Sequence, residues 1–323
     1  MRRAIAVLAL SLALAALDAP RSRAETNTIM NGIGLIDYGH KPDFKIGDWV
    51  RYQMKSRSEL GASDDYQITV MIAGEEDFWG DPGFWVETWV DMPGIPTQTR
   101  ASLVSYEIFG DSVATQRLLL YTRKIINMLN EDGSAKMDIN KPSASTLKAR
   151  REVMNPVRFS LDTLGVDTVI TPKGTFKPLK VLMKQGTGAT QAVGDSSIYT
   201  EIRENRTSWY TLDVPITHLA REDIESINAH KSWLIGRSGD ATPLAIRDRG
   251  LGSARLIDFG HGATARMVPE RLRHTIAEQV AAERAAAKAA APKASSKPGT
   301  KSSTSAKPAS SSTKPAGTTT KSN

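Results

Sequence analysis

Regular alternation of apolar and polar residues is the feature that most limits how this chain folds. Val50, Tyr52 and Met54 fall on one side of an extended strand, and the residues between them are polar or charged. The same period of two continues through residues 66–72 and 84–92. This is the period of a β-strand with one buried face. Since short polar turns separate the three segments, the sequence predicts an antiparallel meander.

The later part of the chain has a less regular pattern. Residues 114–129 are ambiguous and fit a buried strand followed by a helical turn, and residues 140–161 fit a polar helix or a loop. Two glycine-rich stretches, 186–188 and 250–252, predict hairpin turns. Further strands are predicted at 97–109, 166–170, 179–183, 198–202, 208–212 and 232–235.

Two helices are predicted in this part of the chain. Residues 217–227 predict a short helix because Thr217 can cap its start and the acidic Glu222 favours its first turns. Pro269 suits the first position of a second helix, since proline there sacrifices no hydrogen bond. The alanine-rich residues 269–291 continue that helix.

The first residues have the pattern of an export signal. Arg2 and Arg3 precede an apolar run from Ala4 to Leu17, and Ser22-Arg23-Ala24 fits the small-x-small pattern of a signal peptidase site. The run of fourteen residues is shorter than the roughly 20 that a membrane-spanning helix needs. Residues 1–24 are therefore predicted to be a signal peptide.

Composition divides the remaining chain into three parts. Residues 25–268 predict one β-rich globular domain, because no linker rich in Pro, Gly or Ser interrupts them. The helix at 269–291 follows. Residues 292–323 contain almost only Lys, Ala, Pro, Ser and Thr, which predicts a disordered tail. The chain contains no cysteine, which excludes disulfides and cysteine-based metal sites.

The net charge of +7 belongs to the ends of the chain. Residues 285–323 hold seven lysines and no acidic residue, so the β-rich part is mildly acidic. Such a tail attracts anionic envelope polymers or lipid headgroups, and nucleic acid is not an expected partner of an exported protein. A solvated tether without a specific partner is the other interpretation. The lysines that would bind an anionic envelope polymer are Lys293, Lys297, Lys301, Lys307, Lys314 and Lys321.

Two short patterns resemble the nucleophile block of GDS-type esterases. They are Gly110-Asp111-Ser112 and Gly194-Asp195-Ser196, and Asp258-x-x-His261 resembles the Asp/His pair of those enzymes. A nucleophilic serine needs a base and an oxyanion pocket, normally at strand-to-helix turns. Here the strands follow one another directly, so turns that contain aspartate are the favoured interpretation.

A third pattern, Ser145-x-x-Lys148, matches the nucleophile box of penicillin-binding proteins. The predicted disordered tail matches it equally well at Ser311-x-x-Lys314, and no suitable third box exists. A polar helix or loop is therefore favoured, and no catalytic residue is predicted.

The histidines do not form a local metal-binding pattern. None of them lies two or four residues from another, which are the spacings of a local metal pair. Neither a metal nor a cofactor is predicted, although a site assembled from distant residues stays open. The five histidines are His40, His218, His230, His261 and His274.

Trp85 and Trp89 share one face of a predicted strand, with Glu87 between them. Two large amphipathic rings beside one carboxylate can line an apolar cavity. The other interpretation is that the rings fill a β core or shield its edge.

Three segments of the first half carry a family resemblance. They are Gly47-Asp48-Trp49-Val50-Arg51-Tyr52, Ile68-Thr69-Val70-Met71-Ile72-Ala73-Gly74-Glu75-Glu76 and Phe84-Trp85-Val86-Glu87. This part of the chain resembles exported bacterial β-rich proteins related to the lipoprotein-carrier (LolA/LppX-like) half-barrels. The resemblance implies an antiparallel sheet that folds around helices and holds acyl chains on its concave face.

The predicted fold class is mainly β (α+β): a curved antiparallel sheet or half-barrel with a few packed helices. The predicted function is that of an exported protein, periplasmic or secreted, which binds a lipid-like or apolar ligand without catalysis. Its expected ligand-binding residues are Tyr52, Trp85, Glu87 and Trp89. The alternative is a structural or interaction module tethered to anionic envelope polymers by the tail. A serine esterase is the third reading.

Overall fold

The computed structural model describes residues 32–59, 61, 63–111, 118–130, 132, 134–139, 158–236 and 242–290. The predicted signal peptide at 1–24, the tail at 292–323, Ser112 and the Ser145-x-x-Lys148 pattern lie outside the described residues.

The described residues form thirteen strands. They are β1 (Trp49–Ser58), β2 (Ser63–Phe78), β3 (Asp81–Asp91), β4 (Gln98–Ser105), β5 (Thr122–Leu129), β6 (Ala135–Ile139), β7 (Arg158–Val166), β8 (Val169–Thr171), β9 (Gly174–Phe176), β10 (Leu179–Val193), β11 (Ser196–Tyr210), β12 (Leu219–Leu234) and β13 (Ala245–Gly260).

Eleven strands form one antiparallel sheet in the order β6-β5-β4-β3-β2-β1-β13-β12-β11-β10-β7. The sheet does not close into a barrel. β8 and β9 form a separate two-stranded sheet. The prediction of a mainly β fold built on an antiparallel sheet is therefore confirmed.

The predicted meander is also confirmed, as β1, β2 and β3. Tyr52 lies opposite Ile68, and Ile68 lies opposite Val90. Opposed residues of antiparallel strands point to the same side of the sheet. We call this side the Tyr52 face, and the opposite side, which carries Trp85, the Trp85 face.

In β1 to β5, segments outside the sheet cover both faces. The Tyr52 face packs against residues 32–47, 106–111 and 118–121 in one buried cluster. On the Trp85 face, residues 263–272 pack in a second cluster. Gly74 permits this close approach, because a Cβ atom there would lie 1.8 Å from the carbonyl oxygen of Leu272.

The described helices are short or lie near the end of the chain. They are α1 (Leu118–Tyr121), α2 (Ile276–Ala290) and the 3₁₀ helices Ile33–Leu35, Tyr106–Ile108 and Glu270–Leu272. None of the helices in the described part of the chain is long and apolar enough to cross a membrane.

The C-terminal α-helix begins later than Pro269, which caps a 3₁₀ helix instead. A capping box starts α2 at Ile276. The Glu278 amide donates to Thr275 Oγ1, and the Thr275 amide donates to the Glu278 carboxylate. This reciprocal pair satisfies two backbone donors and fixes the helix start.

The predicted helix at 217–227 is wrong, because Leu219 begins the long strand β12. Its charged side chains find partners on neighbouring strands: Glu222 meets Arg206, and Asp223 meets Arg255. The predicted turns at 186–188 and 250–252 are also wrong, since both stretches lie inside strands.

The two segments that the sequence left open are resolved where the structure describes them. Leu118–Tyr121 is helical and leads directly into the strand Thr122–Leu129. Of residues 140–161, the structure describes only 158–161, which begin β7.

Candidate ligand-binding face

Tyr52 is fully buried in the cluster on the Tyr52 face. Its hydroxyl lies 2.5 Å from Thr217 Oγ1 and donates to the carbonyl oxygen of Leu219 at 2.6 Å. Burial raises the pKa of this phenol far above its usual range. Tyr52 therefore joins β1 to the segment that leads into β12.

Trp85, Glu87 and Trp89 lie on the opposite face, where residues 263–272 cover them. Trp85 and Glu87 are fully buried. The Glu87 carboxylate accepts hydrogen bonds from the Trp89 indole at 2.7 Å and from the Arg266 amide at 2.8 Å.

The same carboxylate also accepts from the amides of Met267 at 2.9 Å and Val268 at 3.4 Å. The Arg266 guanidinium lies 4.1 Å from the Trp89 ring centroid. Glu87 and Trp89 thus hold the C-terminal segment against the sheet.

The four residues expected to bind a ligand are therefore not brought together in one site. Strand alternation places Tyr52 on one face and the other three on the other face. Tyr52, Trp85 and Glu87 are each fully buried, so a ligand in solvent has no access to these three side chains.

The Tyr52 face continues into the second half of the sheet, and there its apolar side chains reach solvent. Leu161 on β7 lies opposite Met183 on β10, which lies opposite Arg206 on β11. Arg206 in turn lies opposite Ile224 on β12. Leu161 is 60% exposed, and the side chain of Met183 is half-buried.

The neighbouring rows of this face carry further apolar residues. Phe159 lies opposite Gln185 and is 42% exposed, and Ile202 on β11 is half-buried. We call the surface formed by Phe159, Leu161, Met183 and Ile202 the open face; Ile224, which is buried, lies at its border. Towards β1 it ends at glycines, where Gly252 lies opposite Ile224.

A charged network lies within the open face. Arg206 donates to both carboxylate oxygens of Glu222, at 3.3 and 3.2 Å, and to Glu204 at 2.9 Å. Ser208 donates to Glu222 as well, at 2.9 Å. Burial would lower the pKa of Arg206, but the two carboxylates hold it above its usual range.

Three buried polar atoms in this region have no hydrogen-bond partner among the described residues. They are Arg206 Nε, Asn228 Oδ1 and His230 Nδ1. Asn228 lies opposite Ile202, and His230 lies opposite Thr200 on the same face. Burial, followed by the charge of Arg247, lowers the pKa of His230 and so favours its neutral form.

The Trp85 face of the same strands is occupied by ion pairs. Asp223 pairs with Arg221 at 2.6 Å and with Arg255 at 2.7 Å, while Arg203 pairs with Glu201 at 2.8 Å. This side carries ion pairs as the open face does, and it also exposes Leu251 and Ile246.

A small cavity of about 280 Å³ lies beside the β8–β9 hairpin, lined by residues 168–172 and two arginines. Both arginines already have partners. Arg221 lies 4.4 Å from the Trp209 ring centroid, and Arg255 donates to the Glu222 carbonyl oxygen. Neither arginine is therefore free to bind a charged ligand in the cavity.

The esterase-like residues do not form a catalytic set where the structure describes them. Gly194 and Asp195 form the turn between β10 and β11, and Ser196 begins β11. Asp258 pairs with Lys173 at 2.6 Å, while His261 Nδ1 lies 2.6 Å from Asp48. Asp258 and His261 therefore have separate partners.

A cluster of histidine and aspartate that sequence spacing did not predict lies where two distant segments meet. Asp37 Oδ2 is 2.7 Å from His40 Nδ1 and 3.0 Å from His218 Nδ1. His218 Nε2 is 3.3 Å from Asp43 Oδ1. Asp37, His40 and His218 have donor atoms close enough to hold one metal ion.

The ionisation of this cluster follows from its contacts. Burial would raise the pKa of Asp37, but hydrogen bonds with His218, the Gly39 amide and His40 hold it below its usual value. The hydrogen bond to Asp37 raises the pKa of His218. Because 181 positions separate Asp37 from His218, local spacing gave no signal of this contact.

No model of a known protein family matches the chain, and no curated protein matches it. Three solved structures share similarity with it at low identity. A candidate exported protein with a YmcC-like fold from Bacteroides fragilis is 11% identical, with a TM-score of 0.28, over 69% of this chain and 100% of that chain.

A candidate lipoprotein from Parabacteroides distasonis is 12% identical, with a TM-score of 0.29, over 69% of this chain and 100% of that chain. A LolA superfamily protein from Nitrosomonas europaea is 10% identical, with a TM-score of 0.22, over 76% of this chain and 95% of that chain.

Proposed function

We propose that this chain is an exported envelope protein that binds a lipid-like, apolar ligand without catalysis, on its open face. The observation that carries the proposal is the exposure of Phe159 and Leu161 beside the half-buried Met183 and Ile202. Export is proposed from the signal-like residues 1–24.

The chemistry of the open face favours an apolar chain. An antiparallel sheet with one side in water normally presents polar residues there. Here the open face instead presents Phe159, Leu161 and Met183 beside the ion-paired Arg206. A ligand that covers Leu161 and Met183 gains about 25 cal/mol for each Å² of apolar surface removed from water.

The dimensions favour an elongated ligand. Leu161, Met183 and Ile202 lie on three adjacent strands, β7, β10 and β11. Neighbouring strands lie about 4.8 Å apart, so two intervals span roughly 10 Å. An extended hydrocarbon chain is long enough to contact all three side chains.

The polar residue beside Ile202 favours a ligand with a hydrogen-bonding end. Asn228 lies opposite Ile202, and its Oδ1 atom is a hydrogen-bond acceptor. A hydroxyl group placed near Ile202 would lie beside Asn228. The proposed ligand is therefore an amphiphile whose chain lies towards β7.

A fluorescent fatty acid titrated into the purified full-length protein tests the proposal. Leu161→Ser is expected to weaken binding about fivefold to tenfold, because it removes about one side chain of apolar contact. Leu251→Ser is the matched control, since Leu251 is 55% exposed and lies on the Trp85 face. Its affinity should equal that of the native protein.

Two results would overturn the proposal. One is the absence of saturable binding by the native protein. The other is an equal loss of affinity in both variants, which would show that the probe binds exposed leucines without distinguishing the faces.

A further inference from the structure

The cluster of Asp37, His40, His218 and Asp43 carries an inference independent of the proposed function. Asp37 and His40 precede β1, whereas His218 directly precedes β12. Their contact therefore depends on the folded sheet. We propose that Asp37, His40 and His218 bind one zinc ion, with Asp43 orienting the His218 ring.

The donor set suits zinc. Two imidazole nitrogens and one carboxylate oxygen are the ligands of many zinc sites that keep a fourth position for water. Tetrahedral bonds of about 2.0 Å place donor atoms roughly 3.3 Å apart. The separations from Asp37 Oδ2 to the two Nδ1 atoms are 2.7 and 3.0 Å, and the donor atoms of all three residues lie within 4.8 Å of one another. Magnesium and calcium prefer oxygen ligands alone.

His218 has the second contact that zinc-bound histidines usually make. A histidine that binds metal through one nitrogen commonly directs the other towards a carboxylate. The His218 side chain is 5% exposed, and its Nε2 atom lies 3.3 Å from Asp43 Oδ1.

The backbone holds His218 in position before any ion binds. His218 has a positive φ of 49°, and Ile216 has one of 66°. This backbone conformation costs energy for the β-branched Ile216. The Thr211 amide donates to the His218 carbonyl oxygen at 2.7 Å, and the Asp37 amide donates to the Ile216 carbonyl oxygen at 3.2 Å. The second bond joins the two segments that supply ligands.

The site is open on one side. The His40 side chain is 67% exposed, so an ion can enter from solvent without movement of the sheet. The fourth position would face the same side and hold water or another exchangeable ligand.

Titration of zinc chloride into the purified full-length protein, without a histidine tag, tests this inference by calorimetry. The native protein is expected to bind one ion. His40→Ala is expected to weaken binding at least tenfold and to abolish any zinc-dependent rise in Tm. His40 is exposed, so this variant should fold. Asp43→Asn should weaken binding less, because Asp43 orients a ligand.

His261→Ala is the matched control. His261 also contacts an aspartate, Asp48, at 2.6 Å and is exposed, but it belongs to no group of three ligands among the described residues. Its zinc affinity should equal that of the native protein. The inference is overturned if the native protein binds no zinc, or if His40→Ala binds it as tightly as His261→Ala does.

Discussion

The two halves of the long sheet are built from similar alternating strands, yet their faces differ. In the first half, the sequence neighbours Phe84 and Trp85 are both fully buried, because separate segments cover the two faces. In the second half, Phe159 and Leu161 reach solvent. Alternation determines which residues share a face, whereas segments outside the strands determine whether that face is covered.

One buried charge in each half has a different kind of partner. Glu87, in the covered half, is held by the backbone amides of residues 266–268. Arg206, in the open half, is held by the carboxylates of Glu204 on its own strand and Glu222 on β12. Glu87 thus fixes a segment outside the sheet, whereas Arg206 pairs with side chains of the sheet itself.

The largest effect is expected in the covered half. Trp85→Ala should lower the free energy of unfolding by about 3–5 kcal/mol, because it leaves a cavity where a large side chain was fully buried. Urea denaturation followed by circular dichroism measures this change. Trp79→Ala is the control, since Trp79 is 67% exposed, and it should cost less than about 1 kcal/mol. Equal losses in both variants would contradict the described packing.

A smaller effect is expected at Glu87. Glu87→Gln should lower the free energy of unfolding by about 2–3 kcal/mol, because bonds to a charged acceptor are replaced and buried amides lose a partner. Hydrogen exchange at residues 266–268 should accelerate in the same variant. Glu107→Gln, at an exposed position, should change neither quantity. Unchanged exchange at 266–268 would show that Glu87 does not hold the segment.

Much of the fold could be predicted from the sequence because alternation is local. The prediction failed at residues 217–227, where Thr217, Glu222 and Asp223 have the pattern of a helix start. In the structure these residues belong to a strand paired on both sides, with β11 and β13, and Glu222 and Asp223 contact arginines on those strands. Those partners are distant in sequence, so local propensity could not include them.

The sites were harder to predict for the same reason. The sequence placed Trp85, Glu87 and Trp89 on one face, as the structure does, but gave no sign that residues 263–272 cover them. Leu161 lay in a segment read as a polar helix or loop, and its position on an open strand depends on pairing with β10. The His218 cluster needs two segments that only the folded sheet brings together.

Photocrosslinking with a diazirine-labelled fatty acid tests the division between the two halves most directly. After irradiation of the full-length protein, peptide mass spectrometry locates the modified residues. Labelling is expected on β7, β10 and β11, near Leu161, Met183 and Ile202, and should be competed by unlabelled fatty acid. Competed labelling confined to β1–β5, or to the ion-paired Trp85 face of the second half, would contradict the account.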